Sequence, residues 1–202
     1  MFDAYTIPMD VWIRDGVNWV VSNYRPLFQA VRWPVSFVLD SVGDFLLWVP
    51  PSALLIALFF IAWCLAGWRV SVFSVAAFTL VGFLGLWNEL MTTFSMVISA
   101  VFFCVVLGIP LGILAARSDL FFGILRPVLD AFQTTPAFVY LVPVVMLFSI
   151  GTVPGVIATI IFAVPPIIRL TNLGLRQVQA DVVEAGHAFG CTPMQLLFKI
   201  EF

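Results

Sequence analysis

A single lysine, Lys199, and a single histidine, His187, occur in 202 residues. A phosphate-gripping P-loop ends in Gly-Lys-Ser/Thr, and Lys199 follows Phe198 instead, so ATP hydrolysis of that kind is excluded. A zinc-protease helix needs two histidines at i and i+4. A Ser-His-Asp site could be built only around His187, with no supporting motif. Cys64, Cys104 and Cys191 form no CxxC pair and no histidine-spaced set, which argues against a disulfide framework or a metal centre. Charged residues make up 10% of the chain, against about 25% in soluble domains. The net charge of −2 offers no basic field to a nucleic acid. The opening MFDAYTIPMD lacks a basic stretch followed by an apolar core, and so is not a cleaved signal peptide. No catalytic residue, metal or cofactor is expected in the chain itself.

What fills the sequence is apolar surface: 62% of the residues are hydrophobic. A water-soluble core of this size cannot hide that much, whereas a bilayer can solvate it. The expected fold is an all-α, polytopic transmembrane bundle. Five windows are apolar enough for spans, at about 49–67, 70–87, 90–116, 131–150 and 153–168. They divide the chain into an extracytoplasmic tail (1–48), two accessory spans (49–89) and a core with a trailing polar loop (90–202). No Asp, Glu, Lys or Arg lies within the windows, so protonation of a buried group cannot drive transport there. That counts against an ion-coupled secondary carrier, and no inverted repeat is seen.

Arg69, Arg117, Arg126, Arg169, Arg176 and Lys199 fall on one side of the five expected spans, and that side is read as cytoplasmic. The N-terminus is then outside, and Trp48, Trp68 and Trp87 sit at membrane boundaries. Leu27, Val31, Val35, Val38, Val42 and Phe45 recur at helical spacing, which predicts an amphipathic helix over 26–48. Trp12, Trp19, Tyr24 and Trp33 could cage a quaternary ammonium by cation–π attraction, but interfacial aromatics explain them more cheaply.

The polar C-terminal segment carries the one arrangement a motor could grip. Val178, Val182, Ala185 and Phe189 predict a helix with an apolar face, ended by Gly190. Thr192 as N-cap and Pro193 at the first position begin a second helix, with Met194, Leu197, Phe198 and Phe202 as its apolar side. Glu184-Ala185-Gly186, three residues, Gly190, nine residues and Ile200 resemble the EAA loop of binding-protein-dependent ABC importer permeases. Gly186 stands where that family has a second alanine, and Phe202 where leucine is usual. The family pattern continues into a proline and further spans, which are expected beyond Phe202; a truncated, inactive fragment is the alternative. The resemblance implies that this loop docks on an ATPase subunit that uses ATP-Mg, with Glu184, Ala185, Gly186, Gly190 and Ile200 as coupling residues.

Leu125 to Val178, including Gln133-Thr134-Thr135-Pro136, and NYRPLFQAVRWPV (23–35) are similar to the permeases of glycine betaine/proline betaine importers. That resemblance implies a MetI-like permease of a bacterial cytoplasmic (inner) membrane. Its partners would be an ATPase dimer, a periplasmic or lipid-anchored substrate-binding protein and a second permease copy. Its cargo would be a compatible solute such as betaine, choline or proline. Polar Gln133, Thr134 and Thr135, and ladder-breaking Pro136, Pro143, Pro165 and Pro166, are expected where backbone meets protein or a water-lined path. Gly108-x-x-x-Gly112 and Gly151-x-x-x-Gly155 permit close helix approach.

Overall fold

The computed structural model describes residues 9–201, and every regular element among them is helical. Phe202, assigned above to the second helix of the loop, and the first eight residues lie outside the described residues. Helix α1 spans Met9–Trp48, α2 Pro51–Ala66, α3 Trp68–Phe83, α4 Trp87–Arg117 and α5 Asp119–Thr134. Then follow α6 Ala137–Phe148, α7 Thr152–Arg176, α8 Ala180–Ala188 and the short α9 Pro193–Leu196, which opens into a π-helical turn, Leu197–Glu201. The chain forms two compact units, residues 1–99 with 146–156, and residues 100–145 with 157–202.

Among the described residues two helices, α4 and α7, are long and apolar enough to cross a membrane, or up to four crossings if each of two bent pairs counts as one, against the five windows expected. The first bent pair turns by 103° between residues 26–48 of α1 and α2. Pro50 holds φ −56° and ψ 140°, because a residue before proline is pushed out of the helical region. The second turns by 99° between α5 and α6, inside the window read above as one span over 131–150. Pro136 is again the cause: Thr135 sits extended at φ −79° and ψ 127°, so α5 stops at Thr134. Helices α2 and α3 have 16 residues each, about 24 Å of rise, less than an untilted span of about 30 Å requires. Conversely, α7 does not stop at Ile168. It runs through Pro165 and Pro166 to Arg176, with Pro165 fully buried; packed prolines are tolerated in membrane helices when neighbours satisfy the freed backbone.

In the first unit, α2 and α3 fold against each other through one residue. Gly67 at φ 87° caps both helices, a conformation glycine alone takes freely. The Ser71 hydroxyl donates to the Gly67 carbonyl at 3.0 Å and is itself buried. No residue of α2 is buried, although the helix is apolar throughout; such a surface is stable against lipid or another apolar partner. On α1, Val35, Leu39 and Leu46 are buried while Leu27, Val31 and Phe45 are exposed, so the stripe expected from spacing is rotated. Gly43 admits Ser95 of α4, and a Cβ there would sit 3.7 Å from the Ser95 Oγ.

In the second unit, α4 lies against α7 at glycine distance. A Cβ at Gly108 would meet the Ile167 Cγ2 at 2.7 Å, and one at Gly112 would meet the Thr171 Cβ at 2.5 Å and the Ile168 carbonyl at 3.0 Å. The first small-xxx-small pair is therefore a helix crossing. The second is not: Gly151 has open space, and Gly155 meets only the flexible end of Met96. Ala115, Ile168 and Leu129 form the buried centre where α4, α7 and α5 meet, with Leu111, Phe121, Phe122, Leu125 and Val164 around it. Gly112→Ala is expected to destabilise the protein by about 1–3 kcal/mol, because backbone blocks the added methyl. Gly123→Ala, which meets nothing, is the control. Thermal melting in detergent, with Gly112→Ala falling by several degrees relative to Gly123→Ala, checks this.

Candidate functional site

The C-terminal knob is built by local signals. Helix α8 ends in a Schellman motif: the Cys191 N–H donates to the Gly186 carbonyl and the Gly190 N–H to the His187 carbonyl, each at 3.0 Å. Gly190 stands at φ 76°, the left-handed position this motif requires. Two residues on, Thr192 caps α9. Its hydroxyl accepts from the Gln195 N–H at 3.4 Å while its own N–H donates to the Gln195 Oε1 at 2.9 Å, a complete capping box with Pro193 at the first position.

The apolar side chains of the knob divide between an inner and an outer face. Gly186 is buried, and a Cβ there would run into Ile200 Cδ1 and lie 2.8 Å from Leu196 Cδ1. The inner face is Gly186, Leu196, Leu197 and half-buried Ile200. Of the apolar sides expected from spacing, Leu197 is buried while Val182, Phe189, Met194 and Phe198 are exposed, Phe189 by 89%. Over nine residues an apolar period cannot distinguish the face that packs on the chain from one left for a partner. Glu184 and Ala185 are exposed on the same short helix. Among the suggested coupling residues, Gly186 and Ile200 therefore hold the two arms together, while Glu184, Ala185 and Gly190 lie on the surface.

Of the residues expected along a path, Gln133, Thr134, Pro136 and Pro143 are exposed and Thr135 is half-buried. The Thr134 hydroxyl is turned back on its own helix, donating to the Asp130 carbonyl at 2.9 Å. Tyr140 and Pro143, three residues apart on α6, share a face, and Pro136 stands at the bend before that helix. Sequence reasoning passed over Tyr140, whose buried hydroxyl has no hydrogen-bond partner. Its signal was available: a phenol in an apolar run needs a partner.

Two cross-helix ion pairs were also missed, because their partners lie 39 and 57 residues apart. Arg169 of α7 pairs with Asp130 of α5. Arg176 makes a larger node at the other end of α5. Its Nη2 donates to the Asp119 Oδ1 at 2.6 Å and to the Ala115 carbonyl at 3.0 Å, and its Nε donates to the Asn172 Oδ1 at 2.8 Å. The guanidinium also lies over the Phe122 ring, 5.9 Å from its centroid. Asp119 sits in the first turn of α5 behind the Ser118 cap, where negative charge is favourable. Among the described residues no group of His, Cys, Asp or Glu could hold a metal ion.

Residues 108–202 match the family described as "binding-protein-dependent transport system inner membrane component". The chain is 37% identical over 195 residues to the glycine betaine transport system permease protein OpuAB of Bacillus subtilis, covering 96% of this chain and 69% of that protein. The chain belongs to this permease family. To the glycine betaine/carnitine transport permease protein GbuB of Listeria monocytogenes it is 38% identical, covering 97% of this chain and 71% of the relative. To the glycine betaine/proline betaine transport system permease protein ProW of Escherichia coli it is 50% identical over 200 residues. That alignment takes in 99% of this chain and 56% of the relative's length. The family match begins at Gly108, the first glycine of the α4–α7 crossing, and takes in both ion pairs and the whole knob.

The Arg176 node gives a graded test. Asp119→Asn removes a pair whose carboxylate is 88% exposed, so it should destabilise by less than about 1 kcal/mol. Arg176→Ala also strands the buried Asn172 and the Ala115 carbonyl, and should destabilise by about 1–3 kcal/mol. Chemical unfolding of the two variants side by side is the measurement.

Proposed function

We propose that this chain is the passage-and-lever subunit of an ATP-driven importer of compatible solutes. The observation that carries the proposal is the knob. Its two arms are locked inward at Gly186, Leu196 and Ile200, while it turns Glu184 and the apolar Phe189, Met194 and Phe198 outward. An exposed apolar and acidic surface on a capped pair of helices suits docking into a cleft on a second protein. The chain has no P-loop and performs no covalent chemistry, so the docked protein supplies the ATPase and its ATP-Mg. Two ATPase subunits, a second permease copy and an external substrate-binding protein complete the assembly.

The knob lies on the cytoplasmic face of a bacterial cytoplasmic membrane, a placement supported by Arg169, Arg176 and Lys199 beside it. The solute class follows the relatives, whose names include glycine betaine, proline betaine and carnitine. The α6 face carrying Tyr140 and Pro143, with Gln133, Thr134, Thr135 and Pro136 at the bend before it, lines the solute path.

The test is coupling. In the full-length protein, Glu184→Ala should lower glycine betaine uptake into vesicles at least about tenfold while ATP hydrolysis persists. Gly190→Ala forces an alanine into the left-handed region, at about 1–2 kcal/mol, and should act the same way. Wild-type uptake in both variants would remove the docking role. Topology is checked separately: a membrane-impermeant thiol reagent should label Cys191 in inside-out vesicles and not in intact cells.

A further inference from the structure

The first unit holds a cleft of about 80 Å³ between α1 and the last turn of α6, lined by Phe28, Gln29, Arg32, Leu147, Phe148 and Ser149. Two larger clefts of the same unit, near 280 and 300 Å³, are lined almost wholly by apolar side chains. This small one is polar. Phe28, Gln29 and Arg32 stand at i, i+1 and i+4 and so share one face of α1. Among the described residues no ion pair or hydrogen bond holds Arg32. Ser149 has φ 71°, the only positive φ outside glycine among the described residues. Glycine would make this turn without strain; serine holds it at a penalty and adds a hydroxyl to the cleft. Strain of this kind collects where a ligand is held.

We propose that the cleft is a binding subsite for the carboxylate end of a small quaternary-ammonium zwitterion. The Arg32 guanidinium presents a planar fork that matches a carboxylate, and the Gln29 amide and Ser149 hydroxyl add neutral donors. The carbonyl end of α6, a 12-residue helix, carries a partial negative charge that opposes a bare anion and favours a cation. A molecule with both charges satisfies the two halves of the site, and a simple carboxylate satisfies one and is repelled by the other. Phe28 and Phe148, an edge-to-face pair with centroids 5.6 Å apart, offer ring surface to the methylated ammonium by cation–π attraction. Size agrees: a water needs about 10–15 Å³, so 80 Å³ admits a carboxylate and its methylene, with the ammonium at the mouth. The identity of the zwitterion rests on the solute class proposed above.

The test is equilibrium dialysis of labelled glycine betaine against the full-length permease–ATPase complex without its binding protein. Wild type should bind saturably, Arg32→Gln about tenfold more weakly, the effect of losing one charge-assisted bond, and Arg32→Lys in between. Choline, which has the ammonium and no carboxylate, should bind both proteins equally, and acetate should not displace betaine. No saturable binding to wild type, equal affinity in Arg32→Gln, or equal weakening for choline and betaine would overturn the subsite. So would a lowered melting temperature in Arg32→Gln with unchanged binding, which would leave Arg32 a cap for α6. Loss of binding-protein capture in Arg32→Gln with betaine affinity intact would do the same, assigning Arg32 to protein docking. Betaine uptake by the same complex with its binding protein is measured alongside. Uptake by wild type with no Arg32→Gln effect on binding overturns this inference alone; a wild-type complex that takes up no betaine overturns the proposed function, and this inference with it.

Discussion

The contact on which the second unit depends is the approach of α4 to α7 at Gly108 and Gly112. In a bilayer the hydrophobic effect does not press helices together, since lipid tails are as apolar as leucine. Association depends instead on how closely backbones can come and on the polar contacts that closeness allows. At Gly112 the gap is too small for a methyl group. One turn further along α4, Ala115 is fully buried against Ile168 and Leu129, and its carbonyl comes within 3.0 Å of Arg176. A larger residue at Gly112 would move that carbonyl out of reach and break the node joining three helices.

From this crossing follows a division of labour along α7. Its early part, with Val153, Pro154 and Val156 buried, belongs to one unit, and its later part, from Ile157, to the other. Arg169 and Arg176 then tie the later part to both ends of α5 through Asp130 and Asp119. Exposed ion pairs of this kind add little stability each. Their geometry matters more: two pairs at opposite ends of α5 prevent it from rolling on α7, which a single apolar contact at Leu129 would permit.

How much of this was legible depended on the range of the interaction. Signals confined to a few residues survived intact. Thr192 caps, Pro193 starts, Gly190 turns left-handed, and all three could be read because their causes lie within four residues of backbone. Pro136 was read as a ladder-breaker, yet the extended Thr135 before it turns one expected span into two helices at 99°. Which part of an apolar side packs inward is not legible: Leu197 is buried while Val182, Phe189, Met194 and Phe198 are exposed, since in this class of protein an apolar side chain can face lipid or a partner as readily as the core. The ion pairs were invisible for a different reason. Asp130 and Arg169 are 39 residues apart, and only the packing of α5 on α7 makes them neighbours.

The knob inherits its usefulness from the same block. Helix α8 begins four residues after α7 ends at Arg176, so the last fixed point before the knob is the Arg176 node. A push on Glu184 or Phe189 reaches α7 only if the knob does not splay and α7 does not slip. The first condition is met at Gly186, where two arms close on a residue without a side chain, and the second at Gly112 and Arg176. The two glycines serve one mechanical purpose at two scales: each removes a side chain so that two helical segments move as one. Under the proposed function, stiffness at these points is what carries a docking event on the surface to the helices around Pro136 and Tyr140.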